Sequence, residues 1–223
     1  MNAETLMATT NAPEKLIEPI SATSGRGTAL AAATAGGLLL GVLTNLAQGW
    51  LPGAWNQLAN SGAIWSASAF IAGVLLARRS TLLQAAVGGL VAEAGLVVGY
   101  YAYAEFGREG MGSPVFPLIW LTMACVAGPL FGVAGHWWRR GKDERRRVIG
   151  LAALAGLFGM EGVMYAWDLH YTPQAVFCFA AFALIPLLMA RTHRERALTL
   201  VTAVPFALLA YSIVILPLQA VSG

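Results

Sequence analysis

Long apolar runs, separated by short polar breaks, make up most of the chain. They fall at roughly 28–50, 60–77, 81–104, 115–138, 148–168, 173–190 and 198–219. About 20 helical residues cross the ~30 Å hydrocarbon core of a bilayer. In lipid the backbone N–H and C=O groups must be paired internally, so runs of this kind fold as helices. The pattern predicts an all-α integral membrane protein with about seven transmembrane helices. The third, fourth and fifth runs are clear. The second and sixth are short and the first is rich in Ala and Gly, which leaves six as the competing count. Residues 1–27 are polar and mixed, without the basic start, apolar run and small-residue cleavage site of a signal peptide. They are expected to form a disordered cytoplasmic tail, and residues 28–223 a single transmembrane helical domain.

Composition agrees with a lipid solvent. Hydrophobic residues make up 57% of the chain and charged ones 11%, against about 25% charged in an ordinary soluble domain. The placement of the charges then sets the orientation. Of the 14 Lys and Arg residues, 13 fall in alternate breaks: Lys15 and Arg26, Arg78 and Arg79, the stretch from Arg139 to Arg147, and Arg191, Arg194 and Arg196. Arg108 alone falls on the other side. Cytoplasmic loops carry the excess of Lys and Arg, so the N-terminus is expected inside and the C-terminus outside, in a multi-pass protein of the cell membrane. Losing one span would scramble this asymmetry, which favours seven. The pI of about 9.1 is therefore a topology signal. The run Arg145, Arg146, Arg147 reads as a loop at the membrane surface, and no nucleic-acid partner is expected.

A weak internal repeat is present. Arg78-Arg79 opens a helix that reaches Gly89-Leu90, Glu93 and a tyrosine cluster; Arg146-Arg147 opens one that reaches Gly156-Leu157, Glu161 and Tyr165. The glutamates are 68 residues apart, as are the arginine pairs. Ser113-Pro114 and Thr172-Pro173 begin the return helices. Both units run from inside to outside and back, so the repeat is parallel. The fold is expected to be two or three parallel helical-hairpin repeats plus a final helix, with Asn45 at the glutamate position of the third copy. Repeat interfaces often hold sites in membrane proteins. The pairs Gly37/Gly41, Gly95/Gly99 and Gly128/Gly132 each place glycines on one helix face, where backbones can approach closely.

An ionisable residue inside a span is costly, so it is read first as functional. Glu93 and Glu161 lie deep in the third and fifth spans, and Asp168 ends the fifth near the outer surface. At helical spacing Glu161, Tyr165 and Asp168 form one stripe. Glu93 and Tyr100 form another, with Tyr103 a turn further out. The repeat suggests that the stripes face each other across an aromatic cavity. Asn45, Gln48, Asn60, Trp65, Trp120 and Tyr211 are candidates to complete its walls. Burial and a neighbouring carboxylate both disfavour ionisation, so at least one glutamate is expected to be neutral and able to donate a proton. The plainer alternative is that Glu93 and Glu161 hydrogen-bond across helices, to Asn45, Thr122 or backbone carbonyls, and hold the bundle together. Cys125 and Cys178 read as small apolar residues, and no metal-ligand spacing, phosphate loop or DDxxD-type cluster is found. No metal and no cofactor are called for.

The stretch Leu58-Ala-Asn-Ser-Gly-Ala-Ile-Trp65 with Phe70 and Gly73, the run Gly99-Tyr-Tyr101, and Gly128-Pro-Leu-Phe-Gly132 ending in Trp137-Trp138-Arg139 resemble a family of multi-pass membrane proteins of actinobacteria that brings no function with it. The resemblance covers most of residues 30–190. A looser resemblance, of length, span count and intramembrane acids without DDxxD, is to small seven-helix membrane-bound terpene cyclases of secondary metabolism. It implies a metal-independent, proton-initiated cyclisation of a linear prenyl or epoxy-prenyl chain that enters from the bilayer. Glu93 or Glu161 would be the acid and Asp168 or the other glutamate the base. Tyr100, Tyr103, Tyr165 and Trp65 would shield the cation, with Asn45 and Trp120 also touching substrate. Two other classes fit the same residues. One is a small-molecule binding or transport protein of the vitamin-capture type, and the other a non-catalytic immunity or assembly factor.

Overall fold

The computed structural model describes residues 20–78, 80–108 and 110–215, with the backbone alone for 20–26 and 54. All of its regular elements are helical. Helix α1 spans Ile20–Trp50, α2 Gly62–Leu76, α3 Leu82–Gly107, α4 Val115–Arg140, α5 Glu144–Val163, α6 Thr172–Met189 and α7 His193–Ala210. A 3-10 helix, Gly53–Asn60, precedes α2, and wider π-helical turns, Met164–Asp168 and Tyr211–Ile215, extend α5 and α7.

Among the described residues six helices are long and apolar enough to cross a membrane. The exception is α2, apolar but only 15 residues long. At 1.5 Å per residue it reaches about 22 Å, short of a ~30 Å core. The second predicted run is thus a helix, but not a full-length one, and the 3-10 helix precedes it. Helix α1 already begins at Ile20, eight residues before the expected start at 28. The rest of the expected tail, with Lys15, lies outside the described residues, as do Arg79 and Pro217.

The hairpins α3–α4 and α5–α6 turn where Ser113-Pro114 and Thr172-Pro173 predict. Side chains cap the helix starts: Thr81 and Gln84 form a capping box on α3, Asp143 accepts from the Arg145 N–H at 3.0 Å, and Thr192 accepts from the Glu195 N–H at 3.1 Å. These contacts fix where each helix begins.

Helix α3 is the hub of the first half, packed on α1, α2 and α4; α5 is the hub of the second, packed on α4, α6 and α7. The predicted glycine pairs lie at close crossings. A methyl group on Gly41 would lie 2.1 Å from the Leu96 carbonyl oxygen of α3, and one on Gly99 would lie 2.1 Å from that of Leu38 on α1. A methyl on Gly132 of α4 would lie 2.3 Å from the Ala85 oxygen of α3. No larger residue fits at such distances. The repeat does not extend to packing, however. Gly89 of α3 faces α4, whereas its counterpart Gly156 of α5 faces Ala203 and Phe206 of α7.

The arginine-rich loops gather at one end of the bundle, which we call the basic end, and Arg108 lies at the far end. The basic end is knitted by a partly buried Arg147–Glu195 ion pair, by the Arg191 N–H on Glu195 Oε2 at 2.8 Å, and by Trp138 Nε1 on the Met189 carbonyl at 3.0 Å.

Candidate functional site

Because α2 is short, its first turn sits below the far end, and α1 and α2 scarcely touch. A cavity of about 520 Å³ opens there between α1, the 3-10 helix, α3 and the start of α4. Asn45, Asn60, Tyr100, Tyr101, Trp120 and Arg108 form its polar and aromatic lining, with Ala104, Gly110, Met111 and Phe116 completing it. None of these residues is acidic.

The aromatic lining is linked through Trp65. Trp65 lies behind it, 1% exposed, with its ring 5.3 Å from Tyr100 and 5.0 Å from Trp120; the Tyr100 and Tyr101 rings are 5.1 Å apart. The indole N–H of Trp65 donates to the Ala59 carbonyl at 3.1 Å, which ties the wall to the 3-10 helix. The hydroxyl of Tyr100 donates to Gln48 Oε1. Arg108 Nη2 donates to the Asn45 carbonyl at 3.0 Å, which places this far-end arginine at the cavity mouth.

Asn45 is the most informative polar group. It is 2% exposed, and its Nδ2 donates to the Tyr100 carbonyl at 3.0 Å. A carbonyl oxygen only accepts, so this contact fixes which way the amide faces. Its Oδ1 is then left buried with no partner among the described residues; the amide of Asn60 also holds a buried atom with no partner among them, and no contact there fixes which way it faces. An unmet buried acceptor costs about 1–3 kcal/mol. Unpaired amide atoms of Asn45 and Asn60 in the lining of one cavity mark it as a place for a polar guest.

The carboxyl groups lie elsewhere. Glu161, 4% exposed, caps the start of α2: the Ser61 hydroxyl donates to its Oε2 and the Ala63 N–H to its Oε1 at 2.9 Å. Ser61 in turn accepts from the Ile64 N–H at 3.2 Å. A recessed helix start leaves its first N–H groups unpaired in a dry environment, and a carboxyl there meets both the hydrogen-bond and the dipole requirement. Glu93, 6% exposed, pairs its Oε1 with Ser66 of α2 at 3.1 Å, and its Oε2 has no partner among the described residues. The two glutamates therefore do not face each other, as the repeat suggested. They flank α2, because α2 and α4 stand between α3 and α5. Their partners are serines and a backbone amide of α2, not Asn45 or Thr122.

Three more expectations need correcting. Asp168 is exposed and accepts from the Tyr211 hydroxyl at 2.8 Å, away from the cavity. The stripe that joined it to Glu161 assumed an α-helical period. The backbone widens at Met164, with the Leu169 N–H bonded to the Met164 carbonyl at 3.0 Å, and the wider turn carries Asp168 off that face. Tyr165 is buried with Leu58, Phe158 and Cys178 and does not line the cavity. Tyr103 is half-buried beside Gly107, also off the cavity. The structure does gather Asn45, Asn60, Tyr100 and Trp120, with Gln48 and Trp65 directly behind them. Sequence reasoning missed Tyr101, Arg108, Ser61 and Ser66 as members of this constellation. The signal for Arg108 was its isolation from all other cations in the charge pattern.

A family model matches residues 21–220, a family of unknown function (DUF6518). The chain belongs to that family. The match runs from α1 past α7, so in this DUF6518 protein the cavity and both glutamates lie inside the matched region. No curated protein and no solved structure matches the chain. The motifs that carried the resemblance in the sequence now have places in the fold. Leu58–Trp65 forms the capped start of α2, Gly99–Tyr101 reaches the cavity wall, and Gly128–Gly132 makes the α3–α4 crossing.

Proposed function

We propose that this DUF6518 protein captures or transports a small molecule through the far-end cavity. The chain would cross the cell membrane seven times, with its N-terminus and basic end in the cytoplasm and the cavity open to the outside. The six long helices and the clustering of Arg139, Arg140, Lys142, Arg145, Arg146 and Arg147 at one end support that topology; α2 with its 3-10 extension supplies the seventh crossing. Non-helical backbone at membrane depth is tolerated where it is buried in protein or lines a cavity, which suits the position of the 3-10 helix.

The observation that carries the reading is the pair of buried amide atoms, on Asn45 and Asn60, that have no partner among the described residues in the lining of a 520 Å³ aromatic cavity. Sites for small molecules are largely apolar, with a few placed polar groups that fix orientation. The cyclase reading draws less support from the same geometry. It needs an acid and a base at one chain, whereas Glu161 is engaged by α2, Asp168 is at the surface, and none of the described residues that line the cavity is acidic. As a small-molecule site the cavity needs no carboxyl, and Glu161 becomes the residue that positions its floor.

Purification from membranes of the native host, followed by mass spectrometry of a solvent extract, tests this reading. A small molecule retained by wild type and lost from Trp120→Ala, with both proteins folded, is the expected result. The same extract from both proteins would contradict it. If feeding linear prenyl compounds yielded isomers of unchanged mass, and Glu93→Gln abolished them, the cyclase reading would replace it.

A further inference from the structure

We propose that Glu93 is a proton-binding site beneath the far-end cavity, and that Ser66 and Trp65 pass its protonation state to the cavity lining. This inference rests on the capture reading above and makes that capture proton-coupled. Geometry sets Glu93 apart from Glu161. At Glu161 the Ala63 N–H, which only donates, holds one oxygen and the Ser61 hydroxyl holds the other. Both oxygens are spoken for as acceptors. Glu93 has Oε1 on the Ser66 hydroxyl at 3.1 Å, while its Oε2 is buried with no partner among the described residues. A hydroxyl can donate to a carboxylate or accept from a carboxylic acid, so Ser66 suits either form. A proton drawn from water onto Glu93 turns its carboxylate into a neutral acid, and the return step gives it back to water. Carboxyl groups inside membrane bundles mark proton relays and ion pathways.

The helices packed against α3 are α1, α2 and α4. Helix α2 and residues 27–50 of α1 contain no titratable side chain. On α4, Cys125 is exposed, and His136, Arg139 and Arg140 lie past the Gly132–Ala85 crossing toward the basic end. On α3 itself, Tyr100, Tyr101, Tyr103 and Glu105 lie outward of Glu93, and Glu161 is on the other flank of α2. Glu93 is 11 residues after Leu82 and 14 before Gly107, about 16 Å and 21 Å along the axis. Charges in the loops at either end of α3 are therefore out of its reach. The link to the cavity is short. Ser66 follows Trp65, whose ring is 5.3 Å from Tyr100 and 5.0 Å from Trp120. Val97 and Tyr100, one and two turns outward of Glu93 on its face of α3, pack in one cluster with Trp65. A change of charge at Glu93 alters the Ser66 bond, and with it the seat of Trp65 behind the lining. By linkage, a guest that leans on this lining changes the proton affinity of Glu93, and a proton there changes the affinity for the guest.

The test needs no ligand, so it stands apart from the co-purification experiment. The full chain, labelled with 5-fluorotryptophan, is placed in lipid nanodiscs and titrated from acid to alkaline buffer. Infrared difference spectra follow the carboxylic-acid C=O band. Fluorine NMR follows Trp65, assigned by its loss in Trp65→Phe or, should that variant not fold, by elimination with the other Trp variants. In wild type the acid band and the Trp65 resonance should change together, with one midpoint. Glu93→Gln should lose the band and hold the Trp65 resonance still. Ser66→Ala should displace the midpoint of the band and shrink the Trp65 shift. The absence of any titrating band that Glu93→Gln removes would overturn the proton site. A band that titrates in wild type while Trp65 stays still would overturn the coupling. Either result leaves the capture reading to be decided by the retained molecule.

Discussion

The hairpins α3–α4 and α5–α6 begin alike, with an arginine, a glycine-rich turn and a glutamate at the same depth, and they end differently. In the first, the far half of α3 carries Tyr100 and Tyr101 to the edge of an open cavity. In the second, the corresponding space is closed: Tyr165 stacks on Tyr171 with centroids 6.4 Å apart, and Phe158 meets Phe177 edge-on at 6.5 Å. The glutamates diverge in the same way. Both carboxyl oxygens of Glu161 are engaged at the start of α2, whereas Glu93 has one bonded oxygen and one without a partner among the described residues. Equivalent positions in a repeat have taken up separate tasks, because α2 lies against both hubs but presents its start to one and its side to the other.

This contrast can be broken in graded steps by unfolding the protein in mixed micelles. Glu161→Leu should have the largest effect. It strands the Ser61 hydroxyl and the Ala63 N–H, each costing about 1–3 kcal/mol, so a loss of about 3 kcal/mol or failure to fold is expected. Gly41→Leu comes next, at about 2–3 kcal/mol, since overpacking a tight crossing forces the backbones apart. Trp120→Ala follows at about 1–2 kcal/mol, below the full cost of a buried Trp, because the ring is half-buried; its main effect should be on ligand retention. Glu93→Gln should be the mildest, at about 0.5 kcal/mol or less, since an amide oxygen can keep the single Ser66 bond. Equal losses from Glu93→Gln and Glu161→Gln would show that the two glutamates play the same part after all.

Much of this fold is legible in the sequence because lipid imposes simple rules. Run length, charge asymmetry and four-residue glycine spacing each report on one helix at a time. They locate α3 to α7, the turns at Pro114 and Thr172, and the faces that cross at Gly41, Gly99 and Gly132. The stripe of Glu93 and Tyr100 also survives, as both are buried on α3. What periodicity does not carry is which helix stands next to which. The pairing of Glu161 with Ser61 spans 100 residues, and nothing local to either signals it. The π-helical turn at Met164 is equally silent, and it undid the placement of Asp168. The short α2 was visible as a weak run, but its consequence, a recessed helix start that needs a carboxyl cap and leaves a cavity above it, follows only from three dimensions.

The most direct test of the central claim is an experimental structure of the protein taken from its own membranes without added ligand. The account predicts extra density between Trp120, Tyr100 and Asn45, within hydrogen-bond distance of Asn45 Oδ1, with Glu161 still on Ser61 and Ala63. A cavity filled only by side chains, with a bound molecule instead at Glu93 or Glu161, would contradict it.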